Sequence, residues 1–150
     1  MISIKGRYIL KLLKSKERTA KMFENDYIMR LIYDVIRTLK KLLFKTNGEN
    51  GEVTEMDSNV AEDFRRLSAL IDEGRINEAE NLLTDEMETK STKAFQTALL
   101  FYEYLNSKDN DFLEDNDFSR REISDGLKYA AGLFGYGSMI DALLANAGDD

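Results

Sequence analysis

The clearest hydrophobic pattern in the chain lies between residues 22 and 45. Apolar residues recur there at alternating steps of four and three, at Ile28, Ile32, Val35, Leu39 and Leu42. This spacing places the apolar side chains on one face of an α-helix. The pattern therefore predicts a long amphipathic helix over residues 22–45.

The segment before this helix has a weaker helical pattern and a basic composition. Residues 1–21 contain seven Lys and Arg residues and one acid, and we interpret them as a basic N-terminal extension. Because Met22 opens the better helical pattern, we also consider the hypothesis that translation begins at Met22. On that hypothesis, residues 1–21 do not belong to the native protein.

Residues 46–56 are rich in Gly, Asn and Glu and contain little to bury, which predicts a linker. A helical hairpin is predicted after the linker. Gly74 suits the left-handed backbone conformation just past the end of its first helix. Asn77 and Glu80 are spaced as a capping pair for its second helix.

The rest of the chain predicts three more helices. Residues 91–106 have aromatic and aliphatic residues on one face, and Ser119 with Glu122 forms a capping-box signature for a helix that ends near Phe134. A last helix is expected from Ser138. The predicted fold class is all-α, with five to six helices in antiparallel hairpins that form a tetratricopeptide-like array after a long N-terminal helix. Residues 57–150 make up the hairpin domain, and residues 22–150 are expected to form one structural unit.

Three segments of the sequence resemble a known family. They are residues 25–30 (NDYIMR), the hairpin turn from Gly74 to Leu83, and residues 117–123 (DFSRREI). Together they resemble an uncharacterised family of short bacterial proteins with a tetratricopeptide-like helical fold. The similarity covers Met22 to about Ala147 and leaves the basic extension outside. It implies the fold and carries no activity.

The composition excludes several classes of chemistry. The chain has no Cys and no His, so the usual nucleophiles, metal ligands and neutral-pH proton carriers are absent. No catalytic, cofactor-binding or metal-binding residue is predicted, and we do not expect an enzyme. The acidic loop over residues 109–117 lacks the spacing of a calcium-binding loop and is expected to cap helices. The chain also has no proline, which allows long helices to run without a break.

Charge is distributed unevenly along the chain. Residues 1–45 carry a net charge of +8 and residues 46–150 a net charge of −15, for a total of −7. The acidic total weighs against nucleic acid as a partner. The basic extension allows docking on the acidic half of the chain or on an anionic membrane surface, where the contacts would come from Lys5, Lys11, Lys14, Lys16 and Arg18.

From these patterns we expect a cytoplasmic protein–protein interaction module that associates with a partner or with a second copy of itself through the long helix. One alternative is a small-molecule binder or enzyme that uses carboxylates and Tyr in a helical cleft. Another is a membrane-surface adaptor. The residues expected to form the interaction surface are Met29, Leu31, Ile36, Leu43, Tyr104 and Tyr136.

Overall fold

The described part of the chain starts with one continuous helix where the sequence pattern predicted two. The computed structural model describes residues 4–49 and 51–147, and α1 spans Ile4–Leu43. Its 40 residues extend over about 60 Å at ~1.5 Å per residue. No glycine occurs between Gly6 and Gly48, so nothing in the sequence interrupts the helix at Met22. The two helical patterns on either side of residue 22 therefore belong to one continuous helix.

The predicted linker forms a small antiparallel sheet. Strand β1 spans Lys45–Asn47 and strand β2 spans Glu52–Glu55. Gly48 and Gly51 have φ angles of 73° and 69°, which glycine adopts without steric strain. Two glycines in a short polar segment thus make a hairpin turn.

The predicted helical hairpin consists of α2 (Ser58–Asp72) and α3 (Ile76–Met87). Gly74 ends the first helix with a φ of 80°, as predicted. The capping prediction for Asn77 was wrong, because the N-cap residue of α3 is Arg75. The guanidinium of Arg75 donates to both carboxylate oxygens of Glu78, at 2.8 and 2.7 Å.

Four helices complete the described part of the chain: α4 (Thr92–Asn106), α5 (Asn110–Asp115), α6 (Arg120–Leu133) and α7 (Gly137–Ala147). The capping box of Ser119 and Glu122 at the start of α6 is confirmed. The acidic loop contains α5, whose first turn is capped by Asp109. The all-α prediction is confirmed, although the described residues form seven helices and not five or six.

Helix α4 is the centre of the molecule and packs against α1, α2, α3 and α6. Both of its ends are fixed to α1. Near its first turn, Nε2 of Gln96 donates to the carbonyl oxygen of Leu43 at 2.6 Å, and at its last residue Nδ2 of Asn106 donates to the carbonyl oxygen of Met29 at 3.1 Å. Helix α4 therefore lies along the second half of α1, and the first half of α1 extends beyond this contact.

Over residues 4–49 and 51–147, none of the helices has the combination of length and apolar composition that a membrane span requires.

Candidate functional site

The side chains that the structure describes in the first part of α1 are exposed from Arg7 onward. We call residues 4–21 of α1 the arm. Every side chain that the structure describes from Arg7 to Glu24 is exposed, and the first fully buried side chain of α1 is Ile32. The side chain of Lys5, which was predicted to contact membranes, lies outside the described part. The arm is therefore a surface available to a partner.

Cations line one face of the arm. Arg7, Lys11, Lys14, Arg18 and Lys21 follow one another at steps of four and three residues, and all are exposed. We call this set the cationic stripe. At the same spacing it continues into Ile28, Ile32, Val35 and Leu39, the residues that pack on the rest of the protein.

A second stripe runs along a different face of α1. It consists of Ile9, Leu13, Lys16, Ala20, Glu24, Tyr27 and Leu31, and we call it the outer stripe. Two residues along a helix correspond to a rotation of about 200°, so Ile9 and Arg7 lie on roughly opposite faces. Ile9 and Leu13 are each at least 50% exposed, and Phe23, beside this stripe, is 70% exposed. The outer stripe is an extended apolar surface with one cation and one acid.

The C-terminal part of the outer stripe, which consists of Glu24, Tyr27 and Leu31, borders a cleft between α1, α6 and α7. The cleft has a volume of about 350 Å³, and its apolar lining comes from Tyr27, Ile28, Leu31 and Leu144. Glu24 and Arg121 form an ion pair across one edge, with 2.8 Å between Oε1 and Nη2. Ser124, Asp125 and Lys128 of α6 complete the lining. An apolar floor with a charged edge suits a protein side chain better than a polar metabolite.

The four predicted interaction residues of α1 have different environments. Ile36 is 0% exposed and belongs to the core, so its prediction as a surface residue was wrong. The prediction failed because α1 packs on both α4 and α6, and these contacts bury a wider face of the helix than its main apolar stripe. Met29 and Leu43 are half-buried, and the backbone carbonyl oxygen of each accepts a hydrogen bond from a side-chain amide of α4. Leu31 is half-buried and lines the cleft.

The two predicted tyrosines are half-buried and contact neighbouring side chains. The hydroxyl of Tyr104 donates to Asp72, and its ring meets Phe64 edge to face with 5.8 Å between centroids. The ring of Tyr136 stacks on Phe95 with 5.6 Å between centroids. These contacts account for both tyrosines within one molecule.

A second cleft, whose residues the sequence analysis did not identify, contains a carboxylate and a tyrosine in contact. It has a volume of about 340 Å³ and lies between α3, α4 and α6. The hydroxyl of Tyr102 donates to Oε2 of Glu80 at 3.0 Å. Gly126 makes this possible, because a Cβ at that position would overlap the Tyr102 hydroxyl. Glu122 and Asp125 add two more carboxylates to the lining.

Burial changes the acidity of both partners. It raises the pKa of the Glu80 carboxyl, the hydrogen bond from Tyr102 opposes this change, and the negative charge of Glu122 adds to it. Burial also raises the pKa of the Tyr102 hydroxyl, and the charge of Glu80 raises it further. Within the described ranges, no group of three or more acidic side chains is arranged to hold a metal ion.

The fold and surfaces define an all-α protein with an exposed basic arm and no assembled metal centre in its described part. The chain belongs to a family of unknown function, DUF6483, whose model matches residues 22–135. The match confirms the resemblance to an uncharacterised family and leaves the arm outside the matched range. No curated protein and no solved structure matches the chain.

Proposed function

We propose that this protein is a non-enzymatic, cytoplasmic protein–protein interaction module that associates with a second copy of itself through α1. The observation that carries the proposal is the outer stripe. Single exposed apolar residues are common on protein surfaces, but here they share one face of a helix that extends beyond its own core. A helix of this kind supplies anchors for a partner at regular helical spacing.

The remaining surfaces support this proposal indirectly. The apolar cleft adjoins the outer stripe, so the two form one continuous surface. The helical hairpin of α2 and α3 has the two-helix form that tetratricopeptide-like interaction modules use, and we keep that likeness as part of the proposal.

A matched pair of substitutions tests the proposal. Leu13 in the outer stripe and Leu82 on α3 are both 50% exposed. We expect the wild-type protein to dimerise with increasing concentration in sedimentation equilibrium. Leu13→Asp should abolish the dimer, and Leu82→Asp should leave it intact. A wild-type protein that stays monomeric at all concentrations would refute the proposal.

The cationic stripe favours a second candidate function, adsorption to an anionic membrane surface. Its five cations lie on one face, and cationic helices bind anionic lipid with an affinity that falls as salt rises. Co-sedimentation with phosphatidylserine vesicles at low and high salt tests this function. We rank this candidate second because Lys16 interrupts the apolar face that would enter the bilayer.

The cleft of Glu80 and Tyr102 supports the alternative of a small-molecule binder. Its three carboxylates favour a cationic ligand, such as a primary amine. Nuclear magnetic resonance titration with a panel of amines tests it, because a bound amine would shift the signals of Tyr129, which lines this cleft and is half exposed.

A further inference from the structure

The outer stripe is symmetric about Ala20. Its residues occur at steps of four, three and four before Ala20, and at steps of four, three and four after it. Equal distances from Ala20 therefore pair Ile9 with Leu31, Leu13 with Tyr27, and Lys16 with Glu24. Two of these pairs are apolar, and the third joins a cation to an acid.

We infer that the arm of a second copy occupies the cleft between α1, α6 and α7, with the two α1 helices antiparallel and crossing at Ala20. The inference rests on the proposed self-association and names its surface and orientation. In this arrangement Ile9 and Leu13 of each arm lie on Leu31 and Tyr27 of the other copy, and Lys16 lies opposite Glu24. Each of these three contacts forms twice, as the two-fold symmetry of a dimer requires.

Residue size at the crossing supports this register. Ala20 is exposed and is the smallest side chain of the outer stripe, so two helices can approach closely there. Beyond the crossing, the cleft of about 350 Å³ provides space for the larger side chains of the arm beside Ile28 and Leu144.

Charge distinguishes the antiparallel from the parallel arrangement. Lys16 is the one cation of the outer stripe and Glu24 is its one acid. Antiparallel helices crossing at Ala20 bring Lys16 of each copy to Glu24 of the other. Parallel helices in register would instead place each of these residues opposite its own copy, and like charges repel.

The arm cannot reach this cleft within one molecule. Ile9 precedes Leu31 by 22 residues, which is about 33 Å along the axis of an unbroken helix. A second copy is therefore the occupant that the geometry of α1 allows, and it already carries the matching pattern.

Cross-linking tests the orientation, because the chain has no cysteine and each introduced thiol is unique. We expect Ala20→Cys to form a disulfide-linked dimer on mild oxidation. Arg18→Cys, on the cationic stripe, is the matched control. It should remain monomeric in non-reducing denaturing gel electrophoresis. Mixing Leu13→Cys chains with Tyr27→Cys chains should give the mixed dimer. Preferential linkage of Leu13→Cys to itself would overturn the antiparallel arrangement.

Charge reversal tests the register, and circular dichroism checks that each variant keeps its helix content. Lys16→Glu and Glu24→Lys should each raise the dimer dissociation constant on the order of tenfold. The double variant should recover most of the lost affinity and not all of it, because Glu24→Lys also removes the ion pair with Arg121 within each copy. Ser124→Trp should fill the cleft and weaken the dimer, whereas Ser124→Ala should not.

The outcomes separate this inference from the proposed function. A dimer that is lost in Leu13→Asp but unaffected by Ser124→Trp and by both charge reversals would overturn the cleft and register while leaving self-association intact. A wild-type monomer would refute both. A monomer that binds phosphatidylserine vesicles through the arm would replace the second copy with a membrane surface.

Discussion

Arg120 holds Asn106 in place at the junction of four helices. Its Nη1 donates to the carbonyl oxygen of Asn106 at 2.8 Å and to Oδ1 of the same residue at 3.0 Å. The Nδ2 of Asn106 then donates to Met29 of α1. Arg120 also donates to the carbonyl oxygen of Lys108 and to Oδ1 of Asn110. This network connects α6 through α4 to Met29 in the packed part of α1.

The first prediction concerns this network. Arg120 is 4% exposed, and burial lowers the pKa of its guanidinium. Arg120→Met should reduce the free energy of unfolding by about 3 kcal/mol, because it leaves several buried oxygens without a donor. Arg121→Met is the matched control, since Arg121 is the next residue and is exposed. Urea unfolding followed by circular dichroism measures both. Equal midpoints for the two variants would contradict a stabilising role for the network.

The second prediction concerns two glycines of α6. Gly126→Ala should destabilise the protein by about 1–3 kcal/mol, because its methyl group displaces the Tyr102 hydroxyl. A Cβ added at Gly132 would have no atom within 4 Å. Because alanine favours helix more than glycine does, Gly132→Ala should stabilise the protein by about 0.5–1 kcal/mol. The midpoint temperatures of thermal unfolding of the two variants should therefore shift in opposite directions from that of the wild type. The loss in Gly126→Ala should shrink in a Tyr102→Leu background, which removes the hydroxyl and the ring carbons that the added methyl group would overlap.

Local signals predicted most of the fold. Gly74 ends α2 and Ser119 with Glu122 starts α6, because these features depend on residues only a few positions apart. The sequence also contained the information that the two predicted helices form one helix, because Ala20, Lys21 and Met22 at their junction all favour helix. The extent of the weaker N-terminal pattern was underestimated because helix continuity depends on the absence of breakers more than on the strength of the apolar stripe.

The sites were less predictable, because they depend on contacts between distant parts of the chain. Glu80 looked like half of a capping pair, yet its carboxylate accepts from Tyr102, 22 residues later. Ile36 looked like a surface position beside the main stripe, yet α4 and its neighbours bury it completely. Periodicity describes one helix, and burial is decided by how many neighbours pack around it.

The third prediction follows from the burial of Ile36. Ile36→Asp places a charge in the core and should reduce the free energy of unfolding by more than about 4 kcal/mol. Leu42→Asp changes a residue of the same helix that is 57% exposed, and its effect should stay within about 1 kcal/mol. Chemical denaturation of both variants measures the contrast. A folded, cooperative Ile36→Asp protein would contradict the position of Ile36 in the core.

The pH dependence of stability depends on carboxylates with shifted pKa values. The pKa of Glu80 is raised in the folded protein, so the folded state holds its proton to higher pH than the unfolded state does. Glu80 therefore contributes most to stability below its ordinary pKa of about 4.3, and this contribution is lost as pH rises through the folded value. Asp72 changes stability with pH in the opposite direction, because hydrogen bonds from Lys108 and Tyr104 lower its pKa. Its contribution to stability is present above its ordinary pKa and is lost as pH falls through the folded value.

The fourth prediction uses Glu80→Gln, which keeps an oxygen that accepts from Tyr102 and removes the titrating group. The variant should gain stability relative to wild type as pH rises from about 3.5 to 8, because only the wild type must bury a charge at higher pH. Asp72→Asn should show the opposite slope, since its charged form is the one that the fold favours. Urea unfolding at several pH values and constant ionic strength measures both differences. A Glu80→Gln difference that stays constant with pH would show that burial does not perturb this carboxyl.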